Sequence, residues 1–142
     1  MFLHNFFRRM NQQAFQDFGP HLTLDGKRCD TEALKDLNLV YNCLNELPSL
    51  LGMEKMTLPY VVPWKDKFGV TPGVSGFVMI AESHISIHTF PDQDYVFIDI
   101  FSCKPFDIEK AIRYFADLFG IKEIKQHVVE RGLNFPRNYE SY

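Results

Sequence analysis

The order of helix-like and strand-like segments is the feature of this chain that most constrains its fold. Apolar residues recur every three or four positions after Asp30 and again after Asp107, and aspartate is a good helix N-cap. Pro48 and Gly52 mark the predicted end of the first helix, and Gly120 marks that of the second. Six further segments alternate or run apolar as strands do: 21–24, 56–62, 76–81, 85–89, 95–101 and 121–129.

This order, β-α-β-β-β-β-α-β, predicts an α+β two-layer sandwich in which helices pack on one face of a mainly antiparallel sheet. The chain has 142 residues, which fits one domain, and we assign that domain to residues 19–142. Phenylalanines at loosely helical spacing predict a separate helical extension over residues 1–18. Gly19 and Pro20 end this predicted helix.

Composition excludes several classes of function. The formal charge of −3, with acidic and basic residues interspersed, gives no positive field for a nucleic acid. No apolar segment approaches the roughly 18 residues that cross a bilayer, so we expect no membrane partner. Cys29, Cys43 and Cys103 lack C-x-x-C spacing, which indicates neither a disulfide framework nor a zinc knuckle and favours the cytoplasm.

The densest polar cluster runs from Glu82 to His88. His84 and His88 would share one face of a helix and could then hold a metal ion, but the alternating isoleucines between them favour a strand. On a strand the two histidines are about 13 Å apart, too far to bind one ion, so we predict no metal. Ser83, His88 and Asp99 supply the residue types of a serine hydrolase, but no G-x-S-x-G motif surrounds Ser83.

A third interpretation makes the peptide bond before Ser83 itself a substrate. The Ser83 hydroxyl attacks this bond to give an ester, which eliminates and leaves an amino-terminal pyruvoyl group. Its carbonyl forms a Schiff base with a substrate amine and accepts the electrons released with carbon dioxide. Ser83 and His88 have opposite parity, so the chain must turn or break near Ser83 if the two side chains are to meet.

Three motifs support the third interpretation: Gly73-Val74-Ser75-Gly76, Ala81-Glu82-Ser83-His84-Ile85-Ser86-Ile87-His88-Thr89-Phe90-Pro91 and Asp99-Ile100-Phe101-Ser102-Cys103. In these motifs the chain resembles the prokaryotic S-adenosylmethionine decarboxylase proenzymes, which are pyruvoyl-dependent. The resemblance extends more weakly to Gly19–Leu22, Cys29–Asp30 and His127–Glu130.

The resemblance implies self-cleavage between Glu82 and Ser83, which gives a β chain of residues 1–82 and an α chain of residues 83–142. The covalent pyruvoyl group is then the cofactor, and no metal is implied. By the same resemblance, His88 and Ser75 assist processing, and Cys103 protonates the substrate carbon after decarboxylation. Cys29 and Cys43 have no matching role and are interpreted as structural.

Three positions depart from the family pattern and bear on the choice of substrate. Asp92 stands where the family usually has a glutamate that binds the ribose hydroxyls. Gly69 stands where the family has the loop aromatic that stacks on adenine, and Phe68, one residue earlier, or Trp64 can serve only after a shift of the loop. Lys104 follows Cys103 where the family usually has glycine.

We therefore expect decarboxylation of S-adenosylmethionine, a small-molecule substrate, to supply the aminopropyl donor for spermidine. The resemblance also implies a homodimer of processed protomers, in which the α and β chains stay associated. An arginine or ornithine decarboxylase of the same fold is the alternative within this chemistry. The alternative of another class is an unprocessed regulatory or binding subunit.

Overall fold

The computed structural model of the protein describes residues 17–136. These residues form a six-stranded sheet in which every pair of neighbouring strands is antiparallel, in the order β2-β3-β4-β5-β1-β6. The strands are β1 (Gly19–Lys27), β2 (Tyr60–Trp64), β3 (Gly73–Ile80), β4 (Ser83–Phe90), β5 (Tyr95–Phe101) and β6 (Glu123–Arg131). The predicted helical extension falls outside the described residues except for its last two positions.

Three α-helices accompany the sheet in the described part of the chain: α1 (Thr31–Lys35), α2 (Leu37–Leu50) and α3 (Ile108–Phe119). Asp30 caps α1 and Asp107 caps α3 by accepting backbone N–H bonds from the first turn. Gly120 ends α3 in the left-handed conformation, with φ of 58°. The predicted α+β architecture is confirmed, with helices packed against one face of an antiparallel sheet.

Prolines and one aspartate account for the errors in the predicted boundaries. Pro48 does not end the first helix but lies inside α2, where its ring is buried and the N–H of Met53 bonds to its carbonyl at 2.7 Å. The strand predicted at 56–62 forms at Tyr60–Trp64 and includes Pro63, which an edge strand tolerates. Asp36 divides the predicted first helix, because its extended backbone ends α1 and its carboxylate caps α2.

The two faces of the sheet differ in character. Ile85, Ile87 and Thr89 of β4 point to the face covered by the helices and are fully buried. The helical layer fills this side with residues such as Leu44 of α2, Phe115 and Phe119. Their alternation with His84, Ser86 and His88 sends those three polar side chains to the opposite face.

Partly exposed aromatic and sulfur side chains lie on the opposite face of the sheet. Phe77, Met79 and Phe97 are 45%, 43% and 43% exposed. We call this the open face, because the helices lie on the other side of the sheet. No helix among residues 17–136 is long and apolar enough to cross a membrane.

Candidate active site

Ser83 begins β4 immediately after a tight hairpin. It pairs with Ile80 of β3, so Ala81 and Glu82 form a two-residue connection between the two strands. The Ser83 side chain is buried, with 9% of its surface exposed. Among the described residues, its Oγ atom has no hydrogen-bond partner. A buried hydroxyl with no partner usually carries a free-energy cost, which makes this serine an unusual group at the start of a strand.

Cys103 approaches the same hairpin from the end of β5. The register pairs His84 with Phe101, which brings the residues after Phe101 alongside those before His84. The Sγ atom of Cys103 donates a hydrogen bond to the carbonyl oxygen of Ala81, at 3.1 Å. A thiol therefore lies one peptide unit from the Glu82–Ser83 bond.

Ser83 also lines a concavity of about 660 Å³ at this end of the sheet. One part of its wall is apolar and is formed by Met56, Phe77, Met79 and Phe101. The polar part is formed by Glu82, Ser83, His84 and Arg131. A pocket with an apolar wall and a few convergent polar groups is typical of a small-molecule site.

Ser75 and His88 form a second polar pair, on neighbouring strands of the open face. They are directly opposite each other in the register of β3 and β4, and Ser75 Oγ lies 2.9 Å from His88 Nδ1. The structure thus brings together these two residues that the sequence assigned to processing.

The Ser75–His88 pair does not meet Ser83 within one copy of the chain. β4 is unbroken from Ser83 to Phe90, so Ser83 and His88 point to opposite faces, as their parity predicts. The five-residue separation along the strand corresponds to about 17 Å. The hydrolase triad of Ser83, His88 and Asp99 is therefore not assembled, and neither is a metal site of His84 and His88.

Asp92 and the loop before β3 lie near the Ser75–His88 end of the sheet. Asp92 Oδ2 accepts the backbone N–H groups of Val70, at 2.8 Å, and of Thr71, at 3.0 Å. The hydrogen bonds of Thr71 and Val70 to the carboxylate hold the pKa of Asp92 below its ordinary value. Asp92 is thus a charged anchor of this loop, and neither bond uses its Oδ1 atom.

The two aromatic candidates for adenine stacking differ in exposure. Phe68 is 82% exposed, with the ammonium group of Lys67 lying 4.8 Å from the centre of its ring. Trp64 packs edge-on against Phe90 with ring centres 5.3 Å apart, and its side-chain N–H is buried without a partner among the described residues. Phe68 is therefore the aromatic side chain of this loop that is open to a ligand.

Sequence reasoning missed the network around Asp99, which lies on the open face near the concavity. Asp99 Oδ1 is 2.9 Å from His21 Nε2 and 3.1 Å from His84 Nε2, and the Ser86 hydroxyl bonds to Oδ2. Burial raises the pKa of Asp99, but the bonds from Ser86 and His21 and the charge of His84 outweigh it and leave the pKa lowered. The sequence did show that His84 and Ser86 lie on the same face of their strand. It could not show that His21 joins them, because that depends on β1 lying next to β5 in the sheet.

The other two cysteines are core residues. Cys29 and Cys43 are 7% and 1% exposed. Burial is the main cause that raises the pKa of Cys29 to about 11 and that of Cys43 to about 12. Both groups remain uncharged thiols at neutral pH, which suits packing and not nucleophilic chemistry.

Comparisons with known proteins agree with this geometry. A family model described as S-adenosylmethionine decarboxylase matches residues 20–132. The S-adenosylmethionine decarboxylase proenzyme of Pyrococcus furiosus is 32% identical over 117 residues, which cover 81% of this chain and 79% of that protein. The proenzyme of Thermodesulfovibrio yellowstonii is 33% identical over 124 residues, covering 84% and 85%.

The fold also matches a solved structure. The crystal structure of the adenosylmethionine decarboxylase from Aquifex aeolicus superposes with a TM-score of 0.71. The match covers 89% of this chain and 98% of that one, at 23% sequence identity. The two proteins therefore share the arrangement of strands and helices over nearly the whole of the matched chains, and not only around the motifs.

Proposed function

We propose a mechanism that proceeds from one premise: the chain belongs to the S-adenosylmethionine decarboxylase family. The protein is a carboxy-lyase proenzyme that removes the carboxylate of S-adenosylmethionine, and the product is the aminopropyl donor for spermidine. The alternatives of an arginine or ornithine decarboxylase and of an unprocessed binding subunit are not favoured, since the relatives named above are decarboxylase proenzymes for S-adenosylmethionine.

One observation carries the mechanism: the buried Ser83 hydroxyl has no hydrogen-bond partner among the described residues and lies beside the two-residue turn of the hairpin. No hydrogen bond of this hydroxyl has to be broken before its oxygen attacks the carbonyl carbon of Glu82. The peptide C–N bond then breaks, the hydroxyl proton passes to the freed amine, and an ester joins Glu82 to Ser83. β-Elimination of this ester releases residues 1–82 with a carboxylate at Glu82 and leaves a dehydroalanine at residue 83. Water hydrolyses the imine tautomer of this residue, which releases ammonia and leaves the pyruvoyl carbonyl.

The site suits the pyruvoyl group that this cleavage leaves at residue 83. Bound at the wall of the concavity, such a group supplies an electrophilic carbonyl and an electron sink for decarboxylation. The apolar side chains of Phe77, Met79 and Phe101 in this wall offer the substrate carboxylate no hydrogen bonds, which favours its loss as carbon dioxide. Cys103 lies next to the hairpin and donates a proton to the substrate carbon that has lost its carboxylate.

We assign the processing roles of Ser75 and His88 to a second copy of the chain. The cleavage site and the Ser75–His88 pair lie about 17 Å apart along β4, on opposite faces. If two sheets pack through their open faces with antiparallel β4 strands, the Ser75–His88 pair of one copy approaches the concavity of the other, which Glu82 and Ser83 line. The same packing brings Asp92 and Phe68 of the second copy toward the concavity, where they contact the ribose and the adenine.

The open face has the composition of an interface. Exposed Phe77, Met79 and Phe97 surround the polar groups of β4, and burial of such residues drives homodimer association. The active unit in this proposal is a homodimer with two shared sites. Its location is the cytoplasm, where the buried Cys29 and Cys43 thiols stay reduced.

The shared site predicts complementation between two inactive variants. We expect Ser83→Ala and His88→Ala each to remain uncleaved when expressed alone. When they are expressed together in one cell, the mixed dimer combines Ser83 of the His88→Ala copy with His88 of the other copy. The His88→Ala chain should then be cleaved, which mass spectrometry of the mixture detects.

The control for complementation is co-expression of His88→Ala with a Ser83→Ala, His88→Ala double variant, which supplies no His88 and should give no cleavage. Cleavage of His88→Ala when it is expressed alone would contradict the processing role. Failure of complementation, with both chains folded and dimeric, would place Ser83 and His88 in the same copy.

Substrate choice is tested by release of carbon dioxide from carboxyl-labelled compounds. The processed protein should decarboxylate S-adenosylmethionine, with turnover of arginine and ornithine lower by orders of magnitude. Asp92→Ala should raise KM for S-adenosylmethionine, while Asp25→Ala on β1 is a matched control outside the site. Turnover of a free amino acid alone would overturn the assignment of substrate.

A further inference from the structure

His21, His84 and Asp99 converge on the open face from three different strands, β1, β4 and β5. Their ligand atoms, one ring nitrogen of each histidine and one carboxylate oxygen, all lie within 4.8 Å of one another. Within one copy of the chain the three side chains are 22%, 43% and 28% exposed, so the cluster is shielded but not closed. Backbone pairing in the sheet fixes the positions of all three residues.

Both histidines direct Nε2 at the same carboxylate oxygen, Asp99 Oδ1, at 2.9 Å and 3.1 Å. Ligands of a four-coordinate ion with bonds near 2.0 Å are separated by about 3.3 Å, which is close to these contacts. The rings cross at 88° with centres 6.1 Å apart, so they meet edge to face and do not stack.

Neighbouring side chains hold the two histidines and the aspartate in place. The Ser86 hydroxyl bonds to Asp99 Oδ2 and thereby orients the carboxylate so that Oδ1 faces the histidines. Such outer contacts hold the ligands of metal sites in place. The ring of Phe101 lies 5.4 Å from that of His21 and 5.9 Å from that of His84, which limits how far either ring can turn.

We propose that His21, His84 and Asp99 form a binding site for a divalent transition-metal ion such as zinc. Two imidazoles and one carboxylate suit zinc, and three protein ligands leave a fourth position open. The pairing of His84 with His88 rejected above plays no part, because His88 contacts Ser75 instead. The ion would lie beside the concavity, since His84 also lines it.

The position of Arg131 in this structure disfavours binding of an ion at the cluster. Its guanidinium lies 3.4 Å from His21 Nδ1 and 4.1 Å above the ring of Phe101. Coordination through Nε2 places the ring proton of His21 on Nδ1, so Nδ1 then faces a donor when it needs an acceptor. Arg131 has to move aside when the ion binds, which its position on the edge strand β6 allows.

The test is a metal titration of the processed protein with both of its chains present. Zinc binding is measured by calorimetry, and cobalt binding is measured by the visible spectrum of the ion. Wild type should bind one ion per protomer, that is, per pair of processed chains, and give the absorption of four-coordinate cobalt. His21→Gln should lower the affinity about 100-fold or more, and Ser86→Ala about 10-fold. The matched control is His127→Gln on β6, which should bind as wild type does.

Two more variants test the assignment of ligands. Cys103→Ala should retain full affinity, and a loss of binding in this variant would mean that the thiol holds the ion. Arg131→Gln should bind zinc several-fold more tightly, because the amide oxygen can accept the bond from Nδ1. An unchanged or lower affinity there would overturn the role of His21 Nε2.

The wild-type titration is decisive even where a variant fails to fold. If the wild-type protein takes up no stoichiometric zinc or cobalt, or if His21→Gln binds as tightly as wild type, the site is only a hydrogen-bond network. Circular dichroism of each variant confirms that its fold is retained before its affinity is compared.

Discussion

Replacing Ser83 with alanine should leave the chain whole. The variant lacks the hydroxyl oxygen that is proposed to attack the Glu82 carbonyl and become the ester oxygen, so the expected loss of cleavage is complete. Intact-mass measurement should give two chains, 1–82 and 83–142, for the wild type and one chain for the variant. Borohydride should add mass to the 83–142 chain of the wild type alone, because reduction needs a carbonyl at residue 83.

Ser49→Ala is the matched control for this experiment. Ser49 is an exposed residue of α2, on the side of the sheet away from the open face. This variant should still be cleaved at Glu82–Ser83. An uncleaved wild-type protein under folding conditions would contradict self-processing and favour the binding-subunit alternative.

Cys103→Ala should separate processing from turnover. The thiol is proposed to protonate the substrate carbon, and loss of a positioned general acid typically lowers a rate by about 10² to 10⁴. We expect kcat to fall by this amount while cleavage at Glu82–Ser83 continues. The measurement is the rate of carbon dioxide release, normalised to the amount of cleaved chain.

Cys29→Ala provides the comparison for Cys103. Its thiol is buried and its pKa is raised to about 11, so it should take no part in proton transfer and kcat should stay unchanged. The proposed role of Cys103 would be wrong if its variant turned over substrate at the wild-type rate. A Cys103 variant that was not cleaved at all would assign the thiol to processing instead.

The strands that carry the motifs were predictable because their side chains alternate. The isoleucines of β4 point to the core and its histidines to the open face, as the pattern indicates. The caps at Asp30 and Asp107 are likewise local, since each side chain bonds to N–H groups within three residues of itself. Local chemistry of this kind can be read from a single sequence.

The boundaries that failed depend on tertiary position. Pro63 is compatible with a strand because β2 is at the edge of the sheet, and an edge cannot be recognised before the strand order is known. Pro48 remains in α2 because its buried ring packs in the core. In both cases burial and pairing outweigh the usual effect of a proline.

The site was predictable residue by residue but not as an arrangement. The motifs named Ser83, Ser75, His88 and Cys103, and parity placed Ser83 and His88 on opposite faces. The meeting of His21, His84 and Asp99 was not predictable, because it depends on β1 lying next to β5. Contacts between residues distant in sequence require the topology, which periodicity does not give.

The strand order also has a consequence for how the mature enzyme can refold. After the proposed cleavage at Glu82–Ser83, β1, β2 and β3 belong to one polypeptide and β4, β5 and β6 to the other, and β1 is inserted between β5 and β6. The two pieces therefore share three strand boundaries in a single sheet. The proenzyme builds this interleaved sheet in a unimolecular reaction, whereas cleaved chains recovered from denaturant must find each other by diffusion. The rate at which the cleaved protein re-forms this sheet should therefore depend on protein concentration, and that of the proenzyme should not.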